Sequence, residues 1–260
     1  MPSRRAFALA LALALPLLLA ACSHTPRDDE QTRLTQLADD VAQRGDNATA
    51  AALYQRASQL PGANADLWRR LGDIRLAGDD LSGAAAAYRQ ALSLAPDDAR
   101  SQLGQGTLYL REGQAALAVP LLEHAAQALD DGSSWSRLGL ARLFAGDATG
   151  GQAALGKALA REPGNADIRG NLALAYAVAD DPSKALQTLG DLGQQADALP
   201  RQQRNALMVL VLAGQETRAE QVPLGARDAA QRTQLLHQAQ RIAGLPSLQE
   251  RITALGLLQP

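Results

Sequence analysis

The sequence predicts an all-α fold built as a solenoid of stacked helical hairpins, and three observations carry that prediction. Hydrophobic residues make up 47% of the 260 positions but aromatics only 3%, so the apolar content is mostly Ala and Leu. Both are strong helix formers, whereas the strand-favouring Val, Ile, Tyr and Phe are sparse. Aromatic residues also recur at a fixed interval. Tyr54 and Tyr88 are 34 positions apart, while Trp68 and Trp135, like Tyr109 and Tyr176, are 67 apart. That is a period near 34 with one deletion, the mark of a repeated supersecondary unit. Finally, Gly-Asp pairs and single prolines punctuate the chain at matching points of each period, where helices turn and stop.

The chain opens differently. Arg4 and Arg5 precede a nearly unbroken apolar run from Phe7 to Leu18, and Leu19-Ala20-Ala21-Cys22 follows. A transmembrane helix needs about 20 apolar residues, so the shorter run reads as the core of a signal peptide over residues 1–21. Leu19 to Cys22 resembles the bacterial lipobox, in which small residues admit the signal peptidase and the cysteine thiol receives diacylglycerol. Cys22 is the chain's single cysteine. An ordinary secretory signal with an incidental cysteine is the alternative, and it leaves a free thiol unexplained. Ser3-Arg4-Arg5-Ala6-Phe7 also resembles a twin-arginine signal, so the export route stays open between that and general secretion. By analogy with lipoprotein sorting, Ser23 after the cysteine implies the periplasmic face of the outer membrane. Residues 22–30 are polar and read as a tether reaching roughly 25 Å when extended.

The repeats are expected over residues 31–225. The fullest copy carries Trp68, Leu71, Gly72, Ala84, Tyr88, Ala91 and Pro96, and a second carries Trp135, Leu138, Gly139, Leu155, Ala158 and Pro163. Leu34, Leu37, Ala38, Ala50, Tyr54 and Ala57 form an earlier copy, with Pro61 one place early. Gly106, Tyr109, Ala118, Leu122 and Ala125 lie between, and Leu172, Ala173, Tyr176, Ala185 and Leu189 come after. Leu207, Val211, Gly214 and Ala219 form a degraded sixth. This pattern resembles the tetratricopeptide repeat, departing from it at Arg75, Arg142 and Gly151. The resemblance implies a right-handed α-solenoid of five to six repeats, each a helix A and a helix B.

The residue types fit that architecture. Neither helix of a hairpin can bury its apolar face alone, so neighbours must stack. Gly72, Gly106, Gly139 and Ala173 are small where helices A and B approach closely. Glycines in Gly45-Asp46, Gly78-Asp79, Gly113 and Gly146-Asp147 are expected to supply left-handed turns. Pro120 is expected within the first turn of its helix, and the acidic pairs Asp39-Asp40, Asp79-Asp80 and Asp97-Asp98 at helix ends. Residues 226–260 lose the period, and Leu235, Leu236, Ala239, Ile242 and Ala243 form one face of a capping helix.

Charge and chemistry narrow the function. Without the signal segment, 23 basic side chains stand against 27 acidic ones, a formal −4 with no basic block. That argues against nucleic acid as a partner. His24, His124 and His237 share no ligand or nucleophile spacing, and one cysteine excludes a multi-cysteine metal site. No cofactor, metal or catalytic constellation is expected, so function should lie in protein binding on the concave face lined by helices A. By the family's mapping, its early part shows Arg69, Asp73, Arg100 and Arg111. The later part shows Leu140, Phe144, Leu174 and Val178, with Val209 and Leu212 beyond. Two readings stay open: a basic-to-apolar trough for a partner segment, or apolar residues packed on helix B beside solvated charges.

The later repeats carry a further resemblance. Asn171-Leu172-Ala173-Leu174-Ala175-Tyr176-Ala177 and Pro200-Arg201-Gln202-Gln203-Arg204-Asn205-Ala206-Leu207, with Val211-Leu212-Ala213-Gly214, are similar to the TadD lipoproteins of tight-adherence (Flp) pilus loci. That resemblance implies assembly of a type IVb pilus apparatus, with envelope proteins such as a secretin as partners. Type IVa pilotins and adaptors for peptidoglycan hydrolases are the rival repeat lipoproteins; an enzyme is the different-class rival.

Overall fold

Helix caps and turns recur in phase before any packing is considered. In the computed structural model, residues 26–193, 198–224 and 229–256 are described. The signal segment, Cys22 and most of the expected tether lie outside them. Among the described residues there are fourteen helices and no strand. Six hairpins follow one another: α1 (Pro26–Gln43) with α2 (Asn47–Ser58), α3 (Ala65–Ala77) with α4 (Leu81–Leu94), and α5 (Ala99–Arg111) with α6 (Ala115–Leu129). Then come α7 (Gly132–Phe144) with α8 (Ala148–Arg161), α9 (Ala166–Val178) with α10 (Pro182–Leu189), and α11 (Pro200–Leu212) with the single-turn α12 (Glu216–Glu220). Helices α13 (Ala229–Ala243) and α14 (Leu248–Gly256) end the described chain. The first helix already runs from Pro26, so residues 26–30, read as extended tether, are helical.

Each A-to-B turn places one residue in the left-handed region: Gly45, Asp79, Gly113, Gly146, Asp180 and Gly214, with φ between 59° and 90°. The following amide returns to a carbonyl five residues back, as from Asp46 to Val41 and from Asp147 to Arg142, closing the last turn of helix A. The left-handed residue of the second turn is therefore Asp79, not Gly78, whose φ is −88°. Asp tolerates this region better than most residues because its short polar side chain bonds locally. Asp46, Asp80, Asp147 and Asp181 cap the B helices, and Asn64, Asp98, Asp131 and Asn165 the A helices, each accepting a first-turn amide. Asp39 and Asp40 do not cap; they lie inside α1. Pro120 lies inside α6, past its first turn, with Ala116 and Pro120 both exposed. The carbonyl left unpaired by the missing N–H is thus on the wet side of the helix.

The two helices of a repeat pack face to face, and each B helix packs on the next A helix. Successive A helices also touch, α3 with α5 through to α9 with α11, so the stack curves toward them. Tyr54, Tyr88, Leu122, Leu155 and Leu189, all 4% exposed or less, fill the space between neighbours. The small residues permit this: a Cβ at Gly139 would stand 2.6 Å from Leu155 Cγ and 3.0 Å from the Gly151 carbonyl oxygen.

The terminal helices do more than cap. Helix α13 packs on α11, and α14 turns back to touch α9 and α7, three repeats earlier in the stack. Ala239, Ile242, Ile252 and Leu255 join the same apolar cluster as Leu143, Leu174 and Leu207. Arg251 holds the return in place, donating to the Val178 carbonyl at 3.3 Å and to Asp180 at 2.6 Å.

Helix-to-helix approach gives a paired prediction. Gly139→Ala should destabilise the chain by about 1–3 kcal/mol, because the methyl meets backbone that cannot yield. Gly156→Ala, on the same hairpin but with nothing within 4 Å, should stabilise by about 0.5–1 kcal/mol through helix propensity. Thermal midpoints moving in opposite directions confirm the close contact; parallel shifts refute it.

Candidate functional site

One column of inner-face positions changes character along the stack. Asp39, Asp73, Thr107, Leu140, Leu174 and Met208 occupy equivalent places on successive A helices. Fifteen residues after the first five stand Tyr54, Tyr88, Leu122, Leu155 and Leu189 on the paired B helices. In the first two repeats the pair is acid and phenol, and from the fourth it is leucine and leucine. The inner face is consequently polar early and apolar late.

The polar half is wired together. Tyr54 donates to Asp39, which also accepts from Arg70 at 2.9 Å. Arg70 donates on to Asp66 at 2.7 Å, Asp66 accepts from Arg69, and Arg69 reaches Asp73 at 2.5 Å. Tyr88 closes the chain by donating to Asp73 at 2.7 Å. Burial, then the Asp39 carboxylate it donates to, pushes the Tyr54 hydroxyl up to about 12, and the Tyr88 hydroxyl is raised well above the tyrosine range for the same reasons. Burial also lifts the Asp73 carboxyl, against the opposing pull of Tyr88 and Arg69. For Asp66 burial works upward, but hydrogen bonds from Arg69 and Arg70 outweigh it and hold the carboxyl below its ordinary value.

The four polar groove residues expected from sequence do meet. Arg69, Asp73, Arg100 and Arg111 line one cavity of about 610 Å³, joined there by Tyr88 and Arg137. Their commitments differ. Arg69 is tied to Asp66 and Asp73, and Arg111 to Asp79 and the Leu76 carbonyl. Asp131, on the same wall, is spent capping α7. Among the described residues, Arg100 has no hydrogen-bond or ion-pair partner, and Arg137 reaches only the hydroxyl and carbonyl of Ser133. Among the described residues, the two uncompensated cations of this cavity are thus Arg100, which is expected from the sequence, and Arg137, which is not. A signal existed: Arg137 stands 67 positions after Arg70, at the same place on its A helix.

The apolar half is divided. Leu140, Phe144 and Leu174 line a second cavity of about 360 Å³, above Met208. Leu235 of α13 and Leu255 of α14 form its other wall, so these two helices close one side of the expected trough. Val178 does not line it. It is fully buried in the core, with its carbonyl accepting from Arg251 of α14, and Val209 is fully buried as well. Helix packing, the second of the two readings, therefore accounts for Val178, while Leu140 and Phe144 stay half-buried at the cavity. Its rim carries the ion pair Arg201–Asp167 at 2.5 Å, an amide pair Asn171–Asn205 at 3.2 Å, and exposed Arg204. Hydrogen bonds from Arg201 hold the Asp167 carboxyl below its ordinary value. Among the described residues, no group of three or more His, Cys, Asp or Glu side chains could hold a metal ion.

A curved stack of helical hairpins with an accessible inner face defines a repeat scaffold of the protein-binding kind. Tetratricopeptide-repeat profiles match residues 35–99, 75–134 and 143–207, together more than half of the chain. The chain belongs to the tetratricopeptide-repeat family. It is 34% identical over 177 residues to cellulose synthase operon protein C of Xanthomonas axonopodis pv. citri (strain 306), a match spanning 63% of this chain and only 12% of that protein. Among solved structures, the fold is similar to Pseudomonas aeruginosa PilF, with a TM-score of 0.66 and 16% identity over 82% of this chain and 99% of that one. It is also similar to MamA of Desulfovibrio magneticus RS-1, with a TM-score of 0.57 and 20% identity over 62% and 91% of the two chains. A third is YrrB, described as a TPR protein with an unusual peptide-binding site, with a TM-score of 0.52 and 19% identity over 71% and 90%.

The Asp–Tyr wiring predicts a specific alkaline titration. With Tyr109 and Tyr176 replaced by Phe, phenolate absorbance should rise only above the ordinary tyrosine value of 10.0, with Tyr54 following at about 12. A folded value above the unfolded one means that this contribution is complete below the unfolded value and lost as pH climbs through the folded one. Asp39→Asn should bring the Tyr54 midpoint down. A midpoint at the ordinary value in the parent would contradict the network.

Proposed function

We propose that this protein is a lipid-anchored scaffold, without catalytic chemistry, that holds protein partners on its concave face at the periplasmic side of the outer membrane. One observation supports partner binding most directly: Arg100 and Arg137 face an accessible cavity without a carboxylate to neutralise them, although every other arginine in that cavity is paired. A cation left exposed beside a wired network is free to meet an acidic partner surface, which steers association and sets specificity. The lipobox-like Leu19-Ala20-Ala21-Cys22 supports anchoring through Cys22, and stable attachment then follows from multiple acyl chains.

The machine served is, on this reading, a pilus or secretion apparatus of the tight-adherence (Flp) kind, with a secretin or another assembly component as partner. The Asn-led helices α9 and α11 that resemble TadD lipoproteins support it, and PilF supplies a similar fold. A second reading has its own observation: the relative of 34% identity is named for a cellulose synthase operon. That would put the same scaffold in service of polysaccharide synthesis.

Both readings meet in one experiment: cross-linking in intact envelopes, followed by capture and identification of partners, for wild type, Cys22→Ala and Arg100→Glu/Arg137→Glu. Wild type should fractionate with the outer membrane and capture pilus components. Cys22→Ala should leave the membrane, and the charge-reversed variant should stay anchored but lose its partner at least tenfold. Capture of cellulose-synthesis proteins instead would select the second reading. Unchanged capture by the charge-reversed variant would remove the polar cavity as the binding surface, and unchanged fractionation of Cys22→Ala would refute the anchor.

A further inference from the structure

Each end of a stacked array lacks a neighbour, and here the two ends are built differently. On α3, Leu67, Leu71 and Ile74 are buried in the cluster that also holds Tyr54 and Ala57 of the preceding α2. Counting back 34 positions, the same places on α1 carry Arg33, Leu37 and Asp40. No hairpin precedes α1 among the described residues, and all three side chains are exposed, Leu37 at 50%. Arg33 and Asp40, with exposed Arg44 just past the helix, have no ion-pair or hydrogen-bond partner among the described residues. Glu30 completes the face and pairs with the exposed Arg56 at 2.9 Å.

Glu30, Arg33, Leu37, Asp40 and Arg44 are spaced alternately three and four apart, so they line one narrow face of α1. Their order along it is acid, base, leucine, acid, base. A polar end is enough to keep an array soluble, but solubility sets no order among the charges and keeps no leucine at their centre. The order is self-complementary. When two such faces meet antiparallel about a two-fold axis at Leu37, Arg33 of each copy meets Asp40 of the other, and Glu30 meets Arg44. Parallel pairing sets like charge against like at every position. Pairing with the opposite end fits no better: α13 exposes Gln234, His237, Gln240 and Arg241, with no exposed large apolar side chain among its described residues. We propose that α1 is a self-association surface that takes a second copy of this chain antiparallel, leucine on leucine. Two-fold symmetry makes the Arg33–Asp40 and Glu30–Arg44 contacts twice each. Paired this way, two chains offer two inner faces, and a partner that is itself repeated is held at two points. None of the residues used belongs to the cavities of the inner face, so this inference and the scaffold reading fail separately.

The test is thiol cross-linking of the full chain, in which Cys22 is the single native cysteine, so the parent chain reports any contribution from it. Leu37→Cys puts a thiol at the two-fold axis, where it meets its own copy, and mild oxidation should give a covalent dimer well above the parent background. Leu94→Cys, at a leucine of α4 that is 51% exposed, is the control for random collision and should give only that background. Adding Arg33→Asp to Leu37→Cys sets acid against acid and should cut the dimer yield roughly tenfold. The further change Asp40→Arg restores opposite charges and should return the yield, which damage to α1 could not do. Yield from Leu37→Cys should also fall as salt is raised. Comparable yield from Leu94→Cys, indifference to Arg33→Asp, or no recovery on the charge swap would overturn the inference, as would an absence of covalent dimer from Leu37→Cys.

Discussion

A hairpin of two short helices has apolar surface on both sides and one internal partner for it, so none of these repeats could bury its apolar residues alone. Everything else depends on how closely neighbouring hairpins approach. Gly139 against Leu155, and Gly72 against the ring of Tyr88, leave no room for a Cβ; the small residue sets the approach and the large one fills it. Because helices A crowd together on one side of the stack, their outward positions converge on an inner face. That face exists because the hairpins stack, and its chemistry is whatever the converging positions carry.

Here those positions fall into two regimes. The early A helices present acids and arginines, which satisfy one another through Tyr54, Asp39, Arg70, Asp66, Arg69, Asp73 and Tyr88. Exposed ion pairs contribute little individually. The value of this chain lies in fixing side chains across two repeats so that Arg100 and Arg137 are the cations left over. The late A helices present leucines, and an apolar trough of that length invites association. The chain answers with its own C-terminus: α14, nine residues long and too short to persist alone in water, is formed by docking on α7 and α9. What remains open beside it is the cavity of about 360 Å³.

Much of the fold was legible in the sequence because repetition multiplies weak local signals. The period placed all six hairpins, and the degraded sixth copy corresponds to a B helix of one turn. Local punctuation was less secure. Gly78-Asp79 looks like a glycine turn, yet hairpin register puts Asp79 at the left-handed position, because the cap needed one residue later is Asp80. Pro120 was misplaced for the same kind of reason: the absence of a capping side chain at Gln114 hides where α6 begins. At the site, Arg69, Asp73, Arg100 and Arg111 could be gathered from the period alone. Which of them is free could not, since Arg70, Asp66 and Asp79 neutralise some and not others only once helices from different repeats are placed together. Val178 was misassigned because nothing in the period announces that α14 folds back three repeats. The Asp–Tyr spacing of fifteen, repeated after 34, was present and unread.

The inner face is divided, its early half accessible and its late half covered on one side by α14. Hydrogen exchange of backbone amides, comparing wild type with Ile252→Asp, addresses it directly, since Ile252 is 1% exposed and anchors α14. Stacked repeats communicate mainly with their neighbours, so exchange should quicken in α7, α9, α11 and α14 while α1 through α4 keep their wild-type protection. Unchanged protection in α7 and α9, or a uniform loss along the whole stack, would contradict the account.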